Sequence, residues 1–196
     1  MTEEQRRSAV TKAAHEAFVE LGFGKTTTAV IAAKAKVSKR AIYEFFSDRT
    51  ELFAAVICEH RHLILDLPRP DGEELPVLDA LVKIFRLDID DEAELGREAI
   101  LNLIVRESVQ FPELSDYLYE NEILRSREEL VDWLQGQERN NRMIVEDPLI
   151  CAGMLMDIVF GALLPRRRLK HRPDRAHRTV EIKKRLEIFL RGTQTT

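Results

Sequence analysis

Residues 25–53 read KTTTAVIAAKAKVSKRAIYEFFSDRTELF, and they predict two short helices joined by a tight turn. Thr27 and Ser38 each precede residues that favour a helix, and a hydroxyl in that position accepts a hydrogen bond from a free amide of the first turn. The first helix is expected to run to about residue 35, and the second to cover about residues 39–45. Because the second helix is too short to be stable alone, it must pack on its neighbours.

Amphipathic helices are expected on both sides of this pair. Apolar residues at three- and four-residue spacings predict a helix from about Glu3 to Leu21, which Gly22 ends because glycine readily adopts a left-handed conformation. A fourth helix begins after Asp48, which forms a capping-box pattern with Glu51. The side chains expected to be buried in these four helices are Val10, Ala14, Ala17, Phe18, Leu21, Ile31, Ala32, Ala35, Ile42, Phe46, Leu52, Phe53, Val56 and Ile57.

The second short helix carries the side chains that a reader of the DNA major groove needs. Lys39 and Arg40 lie in its first turn, where long cationic side chains reach the acceptor atoms of guanine, and Tyr43 lies on its outer face. Free amides at the helix N-termini and nearby donors can hold phosphates. Adjacent cations alone are more often solvated surface charges, but the cap, turn and apolar spacing around them favour DNA. The predicted DNA-binding residues are Thr27, Thr28, Ser38, Lys39, Arg40, Tyr43 and Arg49.

The rest of the chain predicts further helices and no strands. Residues 67–72 read LPRPDG, which is typical of a linker. Beyond it, helices are expected at about residues 74–88, 92–110, 112–138, 147–165 and 174–191. We therefore expect an all-α protein with a three-helix helix-turn-helix head in residues 1–48 and a body of about six helices in residues 49–196. The fourth helix would bridge the two parts.

Charge distribution, cysteine spacing and apolar runs limit the classes of protein to which this chain can belong. Residues 66–165 hold 9 basic and 23 acidic side chains, whereas both flanking segments are net positive, so only part of the molecule should face a polyanion. Cys58 and Cys151 have no metal-binding spacing, and we expect no metal and no cofactor. Residues 149–164 form the longest apolar run, which is short for a membrane span and contains Asp157. Because the N-terminus also lacks an apolar signal core, we expect a soluble, cytoplasmic protein without membrane attachment.

Short motifs between residues 5 and 65 together resemble those of the TetR family of transcriptional repressors. They are Ala13-Ala14, Phe18, Gly22-Phe23, Thr26-Thr27, Ile31-Ala32, Val37-Ser38, Ala41-Ile42-Tyr43, Phe46 and Glu51-Leu52. This resemblance implies a DNA-binding head of three helices, a ligand-binding body and a homodimer. A weaker similarity to the AefR-like C-terminal subgroup rests on FPEL at residues 111–114 and EDP at residues 146–148.

The same resemblance assigns roles to individual side chains of the head. It implies that Lys39, Arg40 and Tyr43 touch DNA. It also implies that Thr28 and Arg49 contact phosphates.

Three positions depart from the family's pattern. Lys36 stands in the turn between the two short helices, where the family usually has glycine, and a non-glycine residue with a positive φ costs about 1 kcal/mol. Arg40 replaces a common glycine or threonine, and Phe45 replaces a frequent histidine or tyrosine. These two differences leave the operator sequence open.

Polar side chains within apolar stretches of the body predict a ligand pocket. Asn102 and Arg106 lie four residues apart in such a stretch, and Asp157 lies in the most apolar helix, where a buried charge needs a partner. Asp157 could instead pair with Arg106 or lie across the dimer axis. The predicted pocket residues are Asn102, Arg106, Tyr117, Trp133, Asp157 and Phe160, although core packing would explain the aromatic ones equally well. The expected effector is small and largely apolar or aromatic.

Other interpretations stay open at this point. An enzyme would need a fixed acid/base pair such as Asp157 with Arg106, and no nucleophile or phosphate-loop motif supports it. A helical adaptor that binds only proteins would have no affinity for DNA. The basic run at residues 166–172 is either a solvated loop between two dimerisation helices, which we favour, or a second polyanion-binding patch. We expect a non-enzymatic, ligand-responsive repressor that binds a pseudo-palindromic double-stranded operator as a homodimer through its last two long helices.

Overall fold

A computed structural model describes residues 2–70, 72–163 and 174–193. Every regular element in these ranges is a helix, which confirms the expected all-α class. The α-helices are α1 (Glu3–Leu21), α2 (Thr28–Ala35), α3 (Lys39–Tyr43), α4 (Arg49–His60), α5 (Val77–Ile84), α6 (Asp91–Gln110), α7 (Pro112–Glu120), α8 (Ser126–Arg139), α9 (Pro148–Leu163) and α10 (Arg175–Arg191). A single-turn 3-10 helix, Arg61–Leu63, follows α4. Within the described ranges no helix combines the length and apolarity needed to cross a membrane.

The described residues pack into two compact units. The first draws on Met1–Ile64 and Asp90–Leu124 and contains α1 to α4, α6 and α7. The second draws on Leu65–Ile89 and Arg125–Thr196 and contains α5 and α8 to α10. The boundary expected after residue 48 separates the chain by function, whereas these two units are defined by packing. That boundary therefore stays a prediction.

An aromatic cluster forms the centre of the first unit. The rings of Phe18, Phe23 and Phe53 lie with their centroids 5.3 to 5.8 Å apart, in the distance range that favours aromatic pairs. Helix α4 packs on α1, α6 and α7. Most of the expected core is buried, but Leu21 is 39% exposed and Ala35 is half-buried, which corrects the prediction for both. The chain turns at Gly22 directly after Leu21, and Phe23 takes the inward position.

The second unit has its own apolar core. Helix α8 packs on α9, α9 on α10, and α10 on α5. The fully or almost fully buried side chains are Leu81, Ile84, Phe85, Leu130, Leu134, Ala152, Leu155, Val159, Ile182 and Leu186. The Arg142 guanidinium donates to the carbonyl oxygens of Glu73 (3.2 Å) and Leu75, which ties the segment before α5 to the end of α8.

Helix boundaries in the body differ from those expected. The predicted helix at 112–138 is wrong, because the chain breaks between α7 and α8. Glu122 has a left-handed φ of 58°, and the Ile123 amide donates to the Leu118 carbonyl at 2.9 Å, which closes α7. Helix α5 is likewise shorter than 74–88, since Arg86 has a φ of 53° and ends it in the same way. Helix α3 ends at Tyr43 rather than near residue 45.

Candidate nucleic-acid interface

Side-chain caps define the two short helices of the head as the sequence suggests. The Thr27 hydroxyl accepts from the Val30 amide at 3.3 Å, and the Ser38 hydroxyl accepts from the Ala41 amide at 3.1 Å. Lys36 has φ 56° and ψ 41°, which confirms the left-handed turn predicted at this position. The turn therefore gives α2 and α3 separate, well-capped N-termini.

The outer face of α3 presents the predicted recognition side chains to solvent. Lys39 is exposed, the Arg40 side chain is 91% exposed and Tyr43 is 54% exposed. Ile42, on the opposite face, is 1% exposed and anchors the helix to the core. The Arg40 Nε lies 3.6 Å from Glu44 Oε1, and an exposed pair of this kind contributes little, so the guanidinium can exchange Glu44 for a base or phosphate.

The structure brings the predicted residues of α2 and α3 together. The hydroxyl oxygens of Thr28 and Tyr43 lie 3.5 Å apart, and either can donate to the other. Thr27 is exposed beside them. The N-terminal turn of α2 and the outer face of α3 thus form one polar surface.

Arg49 has a structural contact that sequence reasoning missed. Its Nη1 donates to the Thr26 carbonyl at 2.9 Å, and its guanidinium carbon lies 4.0 Å from the centroid of the Phe23 ring. This is a hydrogen bond combined with a cation–π contact. One guanidinium nitrogen is therefore engaged inside the head, and only the others are available for the predicted phosphate contact.

Side chains at the C-terminal end of α6 contact the turn between α1 and α2. Arg106 donates from Nη2 to the Phe18 carbonyl at 3.0 Å and from Nε to Glu107 Oε1 at 2.6 Å. Gly22 has a φ of 80°, and a Cβ there would lie 3.1 Å from Glu107 Oε1, so both backbone and space favour glycine. The Phe111 ring lies 5.3 Å from that of Phe23. Arg106 thus pairs with Glu107, whereas the sequence offered Asp157 as its partner.

The predicted pocket residues are divided between the two units. In the first, Asn102 and Arg106 are exposed, and Tyr117 lines a cleft of about 590 Å³ with α1 and α4. In the second, Trp133 lines a cleft of about 500 Å³, and Phe160 packs edge-on against Phe85 at 5.9 Å. The common pocket predicted for these residues stays a prediction.

The expectation that Asp157 is buried is wrong for the single chain. It is exposed, as are Ile150 (60%) and Met154 (48%) at spacings of four and three residues along α9. Buried side chains of α9 lie on the other face, at Ala152, Leu155 and Val159. Among the described residues, this apolar helix is buried mainly along one side.

Two further predictions concern metals and the basic run. Within the described part of the chain, no group of three or more histidine, cysteine or carboxylate side chains is arranged to hold a metal ion. The basic run at residues 166–172 lies outside the described residues.

Family models cover most of the chain. Residues 10–56 match the bacterial regulatory proteins of the tetR family, and residues 96–192 match the C-terminal domain of AefR-like transcriptional repressors. The chain belongs to the TetR family of transcriptional regulators. TetR-family proteins are DNA-binding repressors rather than enzymes, they form dimers, and they generally respond to ligands.

Solved structures have the same fold at low sequence identity. Salmonella enterica GusR is 20% identical with a TM-score of 0.73, and the match covers 95% of this chain and 96% of GusR. A TetR-family regulator from Pseudomonas syringae pv. tomato is 20% identical over 100% of both chains, with a TM-score of 0.67. The flavonoid-responsive regulator FrrA is 24% identical over 97% of this chain and 98% of its own, with a TM-score of 0.64. No curated protein matches the chain.

Proposed function

We propose that this TetR-family regulator is a ligand-responsive repressor that binds a pseudo-palindromic operator as a homodimer. The observation that carries the proposal is the first turn of α3, where Lys39 and Arg40 are exposed next to Tyr43. Ile42 fixes the helix from below, so these side chains project from a rigid support. That is the arrangement in which a recognition helix reads the major groove.

Base and phosphate contacts would be divided between neighbouring side chains. Lys39 and Arg40 are long enough to reach guanine acceptors, which gives selectivity. The adjoining hydroxyls of Thr28 and Tyr43 suit phosphate contacts, which set position and salt dependence but carry no sequence information. Thr27 and Ser38 are engaged as caps, and the N-termini that they cap supply amides for phosphate.

Exposed apolar side chains on α9 and α10 support the homodimer. Ile150 and Met154 on α9 are 60% and 48% exposed, and Val180 and Ile188 on α10 are 49% and 65% exposed. Helices α9 and α10 pack on each other, and exposed apolar side chains gathered on two neighbouring helices suit an interaction site. A two-fold dimer places two recognition helices on two half-sites, which accounts for a pseudo-palindromic operator.

Packing within the first unit offers a route from effector to DNA. Helix α4 begins next to α3 and packs on α6 and α7, and α6 holds the end of α1 through Arg106. A ligand that moves α6 or α7 would therefore reorient the head. It can shift the equilibrium only by its difference in affinity for the DNA-bound and DNA-free conformations. We expect the effector to be small and largely apolar or aromatic.

A binding experiment tests the repressor function directly. An operator is selected from genomic fragments, and its affinity is measured by fluorescence anisotropy for the wild type and for Arg40→Ala. We expect Arg40→Ala to weaken operator binding by about 1–3 kcal/mol and to relax preference at one base pair. Arg139→Ala removes the same charge at the end of α8 and should leave affinity unchanged. If Arg40→Ala and Lys39→Ala both bind like the wild type, α3 is not the recognition helix.

A further inference from the structure

A carboxylate lies among the side chains of the candidate DNA-binding surface. Glu44 follows Tyr43 directly, and its amide donates to the Arg40 carbonyl at 3.1 Å, so it continues the helical turn of α3. Residues one turn apart share a face of a helix, and helical side chains lean towards its N-terminal end. The Glu44 carboxylate therefore projects beside Arg40, on the side of α3 opposite the buried Ile42.

Neighbouring carboxylates have structural roles that Glu44 lacks. Asp48 accepts from the Glu51 amide at 2.9 Å, and Glu51 accepts from the Ser47 amide at 2.6 Å, so both cap the start of α4. The Glu44 side chain is 51% exposed, and its Oε1 lies 3.6 Å from Arg40 Nε. Because an exposed pair of this kind adds little to stability, the described part of the head does not depend on this carboxylate.

Contact with DNA would separate Glu44 from Arg40. The guanidinium would turn to guanine acceptors, which leaves the carboxylate close to phosphates of the same sign. A carboxylate held there without a donor loses hydration and is repelled by the DNA. The major groove offers a suitable donor only where a base presents an amino group.

Cytosine is the base that suits a carboxylate best. Its major-groove edge presents the N4 amino donor without an acceptor, whereas guanine and thymine present acceptors and adenine has N7 beside its amino group. The distance of 3.6 Å between Arg40 Nε and Glu44 Oε1 is close to the spacing of about 3.4 Å between stacked base pairs. The two side chains are therefore placed to contact neighbouring base pairs.

We propose that Glu44 is a specificity-determining residue, whose carboxylate accepts a hydrogen bond from the N4 amino group of a cytosine next to the guanine that Arg40 contacts. Each half-site of the operator then holds this cytosine and this guanine in adjacent base pairs. The inference rests on the proposed function, because it requires α3 to be the recognition helix.

Base preference along the operator tests the cytosine contact. Each base pair of the selected operator is replaced by the other three, symmetrically in both half-sites, and affinity is measured by fluorescence anisotropy. For the wild type, replacing the cytosine should weaken binding by at least about tenfold, and Glu44→Ala should reduce this loss to about twofold or less. Its affinity for unrelated DNA should stay the same or rise, because a negative charge near the phosphates is gone.

A second substitution at the same position should change the preferred base. Glu44→Gln keeps the length of the side chain but replaces the carboxylate with an amide, which binds adenine through N6 and N7. This variant should therefore prefer adenine to cytosine at the same base pair and keep the wild-type preference for guanine at the next one. A residue that only repels phosphates or supports the fold would not exchange one preferred base for another.

A matched control and two contrary outcomes complete the test. Glu120→Ala removes the same charge from the exposed end of α7 and should keep the wild-type preference at every base pair. Preference is a ratio of affinities within one sample, so a change in the folded fraction does not alter it. If Glu44→Ala ranks the replaced operators as the wild type does, or loses preference only at the guanine, the cytosine contact is wrong.

Failure of the proposed function would look different. In that case Arg40→Ala and Lys39→Ala would both bind the operator like the wild type, and α3 would not be the recognition helix. If those two variants lose affinity while Glu44→Ala and Glu44→Gln keep the wild-type base preference, only the role of Glu44 is overturned.

Discussion

Arg106 of α6 donates from its Nη2 to the carbonyl oxygen of Phe18, 3.0 Å away in the last turn of α1. The same guanidinium bonds Glu107, whose side chain is 2% exposed and lies against Gly22. A body helix is thereby joined to the head by polar contacts beside the turn that leads into α2.

Replacing Arg106 with alanine should loosen this connection. The buried Glu107 carboxylate would lose its partner, so we expect Arg106→Ala to lower the free energy of unfolding by roughly 1–3 kcal/mol. Operator release by an effector should also become less complete, because α6 no longer holds the Phe18 carbonyl. Urea denaturation measures the first effect. Gln110→Ala, at the exposed C-terminal end of α6, should change neither property.

Arg49→Ala should destabilise the head as well as weaken DNA binding. It removes the hydrogen bond to Thr26 and the cation–π contact with Phe23, together about 1–2 kcal/mol. Arg49→Lys keeps the charge but not the planar, stacked guanidinium, so much of the destabilisation should remain. Thermal denaturation and operator affinity are measured on the same samples. If Arg49→Ala melts like the wild type, the contact inside the head contributes nothing and only a phosphate role remains.

Lys36→Gly should stabilise the protein without loss of operator affinity. Lys36 has a φ of 56°, and releasing a non-glycine residue from that conformation is worth about 1 kcal/mol. For a protein of this size the melting temperature should rise by about 2–4 °C. Lys36→Ala serves as the control, since it removes the charge but keeps the strain and should not raise the melting temperature. If Lys36→Gly and Lys36→Ala raise the melting temperature equally, the gain comes from loss of the charge and not from release of the strained backbone.

Acidification should destabilise the first unit through His15. Burial, and after it the neighbouring His60, lowers the pKa of His15 below its ordinary value of 6.5, while Glu16 opposes this. The two imidazole rings are 4.2 Å apart. Because the unfolded chain binds the proton more readily, this contribution is present above the ordinary pKa and is lost as the pH falls below it.

Urea midpoints measured from about pH 8 to about pH 5.5 test this pH dependence. His15→Gln should reduce the loss of stability on acidification. His177→Gln should not, because the His177 side chain is 69% exposed. If the urea midpoint of His15→Gln falls with decreasing pH as steeply as that of the wild type, His15 is not the cause.

Met154→Glu should weaken the homodimer. A carboxylate in the middle of the exposed apolar face of α9 would be buried without a partner on association, so the variant should sediment as a monomer at micromolar concentration. Asp157→Asn, on the same face, adds no charge and should leave the dimer intact, whereas a monomeric variant would show that the carboxylate takes part in the interface. Val109→Glu, at an 81% exposed apolar position on α6, is the control and should remain dimeric.

The head was predictable because its signals are local. Thr27, Ser38 and Asp48 cap their helices within three residues of themselves, and Lys36 has the left-handed conformation that its place in the turn requires. The spacing that buries Ile42 also exposes the residues of the opposite face of α3. Hydrogen bonds that span three or four residues, and the 3.6-residue helical period, can be inferred from neighbouring residues alone.

The body was less predictable because its decisive contacts join distant residues. Neither Glu122 nor Arg86 signals the left-handed conformation that ends α7 or α5. Asp157 looks like a buried charge in its sequence context, yet it lies on the face of α9 that the described residues leave exposed. Gln137 is an ordinary polar residue of a helix until packing buries it without a partner.

The all-α architecture, the capped helix α3 and the family could be inferred from the order of the residues alone, because periodicity and capping act over one or two helical turns. The pairing of Arg106 with Glu107, the anchoring of Arg49 on Phe23, and the cleft beside Trp133 required the folded chain. Side-chain partners and cavities depend on which helix faces meet, and that choice is made by packing many side chains at once. Local sequence therefore defined the candidate DNA-binding surface, and long-range packing defined how that surface is supported.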